Sequence, residues 1–275
     1  AIGAYAGDEI TTGGDNTAIG HKALSTVSTG IANTAIGREA MRDSSAGSNY
    51  NTAVGVGALF SSGTPLGCTV MGWGAATYPS GNYNTFVGFK AGLGDSSNRA
   101  AHNNVAVGKE SLFSISDGAE NVLVGDQAGY SITTANFSVG IGSDALRSVT
   151  TGHGNIGIGR YAGASLGADQ YTIAIGSSAA QDATTSESVL IGQNSGYSLT
   201  GDQNIAIGKS TLFAGTSANK NVAIGHQALT AATEAHSSVA IGYQALDSTT
   251  KGSENVAVGA YAGQALVGTT SSVYG

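Results

Sequence analysis

The chain has 275 residues, a formal net charge of -7, 41% apolar residues and only 11% charged ones. That balance excludes a disordered polyelectrolyte, and eleven scattered Lys and Arg in an acidic chain argue against a nucleic-acid surface. Gly 43 against Pro 2, with no Gly-X-Y register, excludes collagen and a proline-rich linker.

The chain is instead periodic. Sixteen glycines (Gly3, Gly20, Gly37, Gly55, Gly72, Gly88, Gly108, Gly125, Gly142, Gly159, Gly176, Gly192, Gly208, Gly225, Gly242, Gly259) recur at steps of 16 to 18 residues, with one step of 20. Self-similarity at a short fixed period marks a solenoid, in which each repeat contacts mainly its neighbours. The predicted fold is an all-β parallel β-roll or β-solenoid of about 16 coils of about 17 residues. It is expected to be one continuous domain over 1–275 with an irregular stretch at 61–102.

In chain order, the first coils read Asn16-Thr17-Ala18-Ile19-Gly20, Asn33-Thr34-Ala35-Ile36-Gly37 and Asn51-Thr52-Ala53-Val54-Gly55, each followed by Leu24, Met41 or Leu59. Ser, Thr, Asp and Gly clusters between them are turn chemistry. Each unit therefore predicts a short strand, a tight bend, a second short extended piece and a loop. Helix is rejected, because two glycines per repeat, each costing about 1 kcal/mol against Ala, leave no uninterrupted window. In a strand, Val222 and Ile224 share one face, and Ala223 and Gly225 the other. The large pair is expected inside with Leu229. The flat Ala–Gly face is then expected to receive other copies of the chain, because three large side chains per coil make a poor core alone.

Four residues before the marker glycine the usual residue is Asn: Asn16, Asn33, Asn51, Asn84, Asn104, Asn121, Asn155, Asn204, Asn221 and Asn255. Small residues (Cys68, Ser138, Thr172, Ser188, Ser238) replace it elsewhere. Stacked Asn side chains predict amide ladders from coil to coil. The first five of these coils carry Thr next in line (Thr17, Thr34, Thr52, Thr69, Thr85), a column expected to face inward, and later ones carry Val or Ile. The irregular stretch holds Pro65, Pro79 and Trp73, and the long step places a bulged loop at 94–102. Ala1 falls inside a repeat and Val273-Tyr274-Gly275 reads as the start of another, so a segment of a longer fibre is expected.

The units Asn-Thr-Ala-Ile-Gly-x-x-Ala-Leu and Asn-Val-Ala-Ile-Gly-x-x-Ala-Leu resemble the repeats of bacteriophage tail-fibre shafts and related viral and bacterial surface fibres. They are also similar to the head domain of trimeric autotransporter adhesins, a trimer of left-handed parallel β-rolls. The resemblance spans essentially the whole chain. It departs in period, since adhesin heads have shorter coils with a second Ala-x-Gly element, and nothing corresponds to the endosialidase-type chaperone domain of many fibres. It implies a homotrimer, extracellular, on a virion or cell surface.

Chemistry is sparse. The histidines (His21, His102, His153, His226, His236) lack metal-ligand spacing, and Asp15, Glu120, Glu187 and Glu254 lack the glycine-rich pattern of calcium β-rolls. No catalytic residues, metal or cofactor are expected. The lone Cys68 cannot form an intrachain disulfide, sits in the Asn column and reads as a small buried thiol. Trp73, Tyr78, Tyr83 and Phe89 cluster in the irregular stretch and are the receptor-binding candidates, for a cell-surface glycan or protein, because aromatic faces anchor interfaces. No apolar run of 18 residues predicts membrane insertion. The expected function is a non-enzymatic structural fibre or adhesin, a stiff trimeric spacer about 75 Å long at about 4.8 Å per coil. The alternatives are an adhesin head, an ice-binding solenoid drawn from the Thr column, and a left-handed β-helix acyltransferase. The last needs three hexapeptide faces, of which one is present.

Overall fold

The computed structural model describes residues 1–60, 63–78, 81–94 and 100–264. Pro79, most of the long-step loop and the Val273–Gly275 repeat start lie outside the described residues. What is described is an all-β parallel solenoid with no helix. The chain divides into two compact units, Ala1–Ser138 and Val139–Gly275, where the sequence predicts one domain. In an array of coils that touch only their neighbours, such a division needs no break in composition.

Seven three-residue strands form the ladder of the first unit: β1 (Thr17–Ile19), β2 (Thr34–Ile36), β3 (Thr52–Val54), β4 (Thr69–Met71), β5 (Thr85–Val87), β6 (Val105–Val107) and β7 (Val122–Val124). The second unit carries β8 (Val139–Ile141), β9 (Ile156–Ile158), β10 (Ile173–Ile175), β11 (Val189–Ile191), β12 (Ile205–Ile207), β13 (Val222–Ile224), β14 (Glu234–His236), β15 (Val239–Ile241), β16 (Lys251–Ser253) and β17 (Val256–Val258). Within each unit the ladder is parallel and in register, so that Thr17 pairs with Thr34 and Val222 with Val239. The irregular stretch does not disturb it: β4 and β5 keep register, and the 20-residue step is absorbed between β5 and β6. Among the described residues the predicted second extended piece is a strand pair only at β14 with β16, with isolated parallel bridges at Asn49–Leu66 and Asn219–His236. In all the described coils the residues after the marker glycine form a turn.

That turn has a signature the sequence conceals. The second residue after every marker glycine has positive φ, and so does the fourth, including Leu24, Met41, Leu112 and Leu229. Left-handed backbone is uncommon for a bulky side chain, and here burial of the Leu offsets its cost. A fully buried Leu contributes roughly 1.5–3 kcal/mol, against about 1–2 kcal/mol for the left-handed backbone.

The strand faces are reversed from the expectation. The central residue of each strand is buried (Ala18, Ala35, Val70, Phe86, Leu123, Ala223) and the flanking β-branched residues are half-buried or exposed. Val222 and Ile224 thus point outward, and Ala223 faces Leu229 across the coil. The Thr column faces outward as well, with Thr17 and Thr69 exposed. The reason is room. The strand centre and the residue four after the marker share one space that holds one large side chain, beside a residue seven after the marker that is often buried too (Val27, Ile115, Leu199). In many coils with a small strand centre the residue four after the marker fills it. Ala18 goes with Leu24, Ala106 with Leu112 and Ala206 with Leu212. Where the strand centre is large the other position is glycine: Phe86 with Gly92, Leu123 with Gly129, Leu190 with Gly196. A Cβ on Gly129 would lie 2.7 Å from Leu123 Cγ, and one on Gly196 2.8 Å from Leu190 Cδ1.

The Asn column forms the ladder its spacing predicts. Asn121 Nδ2 donates to Asn104 Oδ1 (3.0 Å) and to the Ala135 carbonyl (2.8 Å), while Asn121 Oδ1 accepts the Ser138 amide (3.0 Å). The same pattern links Asn16 to Asn33, Asn33 to Asn51, Asn84 to Asn104, and Asn204 to Asn221. Asn155 Oδ1 accepts the Thr172 amide, and Asn255 is buried in the same column. The linked side chains thereby satisfy buried backbone groups that no strand partner reaches, whereas Asn255 Oδ1 is buried without a partner among the described residues. Cys68 takes its place in the column, accepting no new chemistry: Asn51 Oδ1 accepts its amide at 2.9 Å, and burial pushes its thiol pKa up.

Candidate functional site

The corner after the marker glycine is where side chains of successive coils stack in the open. Trp73 and Phe89, each the first residue after its marker, lie parallel with centroids 5.1 Å apart. His226 and Tyr243 do the same at 5.4 Å, so this corner is aromatic as well as polar. The coil step of about 4.8 Å suits offset ring stacking. One position further on, each of the sixteen coils places a left-handed residue, with Lys22, Glu39, Lys90, Glu110, Gln127 and Gln227 among them. Only Gly57 and Gly74 are glycine there, in consecutive coils.

Those two glycines are not forced by crowding. A Cβ on Gly57 would meet nothing within 4 Å, and one on Gly74 only ordinary contacts with Thr77 and Lys90. What their missing side chains leave is a groove of about 370 Å³, walled by Trp73 on one side and by Phe60 and Tyr78 on the other. Arg38 and Glu39 close one end and Lys90 the other. Its size falls within the ~300–1,000 Å³ of small-ligand sites.

The charges around the groove are unevenly paired. Arg42 holds Glu39 at 3.4 Å and Asp43 at 2.7 Å, and its guanidinium lies 4.0 Å from the Phe60 ring centroid. Those two carboxylates raise the Arg42 pKa, Asp43 most. Lys90 Nζ sits 5.6 Å from the Trp73 centroid and 5.4 Å from that of Phe89. Neither Arg38 nor Lys90 has a carboxylate partner among the described residues. In a chain of net charge -7 this corner is locally cationic.

Of the four aromatic candidates, the structure brings Trp73, Tyr78 and Phe89 together and leaves Tyr83 elsewhere. Tyr83 belongs to the turn before the strand, where its ring covers Gly67; a Cβ on Gly67 would lie 2.9 Å from Tyr83 Cδ1. Tyr171 covers Gly154 in the same manner. Tyr83 is therefore a cap on its neighbouring coil. The sequence reading missed Phe60, Arg38, Lys90 and the two glycines, although the paired glycines in an otherwise side-chain-bearing column were there to be read. Among the described residues no three His, Cys, Asp or Glu side chains converge as a metal set would, and no helix is long and apolar enough to cross a membrane. No protein-family model and no curated protein matches this chain.

Proposed function

We propose that the chain is a non-enzymatic structural fibre or adhesin segment, extracellular on a virion or cell surface, that acts as a stiff homotrimeric spacer. The outward strand face carries this reading. In the second unit both outward positions of all eight ladder strands, from Val139 and Ile141 to Val256 and Val258, are Val or Ile. Six of these sixteen positions are exposed, among them Ile141 at 42% and Ile205 at 38%, and the others are half-buried. Eight strands at about 4.8 Å make a stripe about 35 Å long, larger than the scattered apolar residues a solvated surface carries. Covering on the order of 400 Å² of it would contribute about 10 kcal/mol per chain at 25 cal/mol/Å², before the costs of association.

The surface shared between copies is thus the Val/Ile face, and the Ala–Gly face lies in the coil interior. A stripe only two side chains wide suits several copies meeting along one axis better than two broad sheets stacking. The repeat resemblance to trimeric fibres supports the number three. Light scattering coupled to size exclusion tests this: the expected mass is near three times 27.1 kDa, and a mass near 27.1 kDa contradicts the trimer.

One observation favours a second reading. In the first unit Thr17, Thr34, Thr52, Thr69 and Thr85 pair in register on the outward face, the orientation that an ice-binding Thr array needs. A thermal-hysteresis assay separates the readings. The fibre reading expects none, and hysteresis from a monomeric chain would replace it with an ice-binding one.

A further inference from the structure

We propose that the groove over Gly57 and Gly74 binds an acidic saccharide, a pyranose bearing a carboxylate. The floor is bare backbone at two consecutive coils that dispense with the side chain every other coil carries there. The Trp73 ring, 52% accessible, is covered on one side by Phe89 and lines the groove with the rest of its surface. An aromatic wall beside a polar rim fits a ligand with one apolar C–H face and hydroxyls around its edge. The Tyr78 hydroxyl and the Glu39 carboxylate supply hydrogen-bonding groups at that edge.

Charge decides between neutral and acidic sugars. Glu39 shares Arg42 with Asp43, whereas Arg38 and Lys90 face the groove from its two ends without a carboxylate partner among the described residues, so its lining of Arg38, Glu39 and Lys90 keeps a net positive charge. A cation at either end can take a carboxylate, Arg38 through paired N–H donors or Lys90 as a point charge. This proposal rests on the attachment role of the fibre reading and is independent of its trimer. A monomer that binds the sugar would overturn the trimer and leave the site intact.

Trp73 is the only tryptophan in the chain, so its emission reports directly on the groove. The full chain is titrated with 3′-sialyllactose and a hexuronate tetrasaccharide, with lactose and tetraglutamate as comparisons. The expected result is a saturable change in Trp73 emission with at least one acidic sugar, and affinity at least tenfold weaker for lactose and tetraglutamate. Refilling the floor by Gly57→Gln with Gly74→Gln is expected to weaken binding at least tenfold with circular dichroism unchanged, because Gln127 and Gln227 adopt the same backbone in the same column. Arg38→Gln with Lys90→Gln supplies the same test without touching the backbone. No saturable change with either acidic sugar, equal affinity for lactose, equal or tighter binding of tetraglutamate, or undiminished binding by both variants would overturn the proposal.

Discussion

Gly159→Ala is expected to destabilise the second unit by about 3–5 kcal/mol, through backbone strain and overpacking together. The marker glycine sits at φ +128°, a region that L side chains rarely adopt, and a Cβ there would lie 2.6 Å from the carbonyl oxygen of Gly176 in the next coil. That obstacle is backbone in a parallel ladder and cannot rotate away. The same geometry recurs at Gly142 against Gly159 and at Gly176 against Gly192. Gly57→Ala provides the contrast. Its φ of +64° is the ordinary left-handed region and its Cβ would be unobstructed, so the cost should be about 1–2 kcal/mol or less. Urea unfolding followed by circular dichroism measures both. Equal effects would mean that the glycine column is kept for something other than coil-to-coil contact.

Exchanging the large and small partners across one coil should restore most of the stability that either change alone removes. Leu229→Gly deletes a buried side chain, for which roughly 2–5 kcal/mol is the usual loss. Ala223→Leu alone forces a second large group into the same space, at about 1–3 kcal/mol. Together they reproduce the arrangement that the chain already uses at Leu123 with Gly129 and at Leu190 with Gly196. They also place glycine where Leu229 now has φ of +49°. A double-mutant cycle is expected to show a favourable coupling of at least about 2 kcal/mol. Additive losses would show that each position is packed independently and that the two do not share one space.

How far the sequence could be read follows from what kind of signal each feature leaves. The period, the parallel register and the Asn ladder are visible because identical residues stacked on themselves repeat at the coil length. Asn104, Asn121 and their partners need no side assignment to be recognised. The strand faces were not legible, because alternation defines two faces without saying which is inside. Size suggested that Val222 and Ile224 are core, whereas a narrow coil places Ala223 inside so that Leu229 fits. The turn was hidden for another reason: a Leu with positive φ looks like any Leu until its neighbours are placed. At the groove, Trp73 stands out as the only tryptophan, and Tyr78, Tyr83 and Phe89 group with it by proximity in sequence alone. Arg38 and Phe60 lie one coil or more away in sequence and are brought in only by stacking.

The claim on which the functional account depends is that the outward Val/Ile stripe is covered by other copies of the same chain. The most direct test is the solution mass of the wild type beside that of Ile207→Lys with Ile241→Lys, two outward positions each 36% accessible. The account predicts a trimer for the wild type and a folded species near 27.1 kDa for the variant, with the same circular dichroism. A trimer that survives both lysines, or a wild type that is already monomeric, would contradict it.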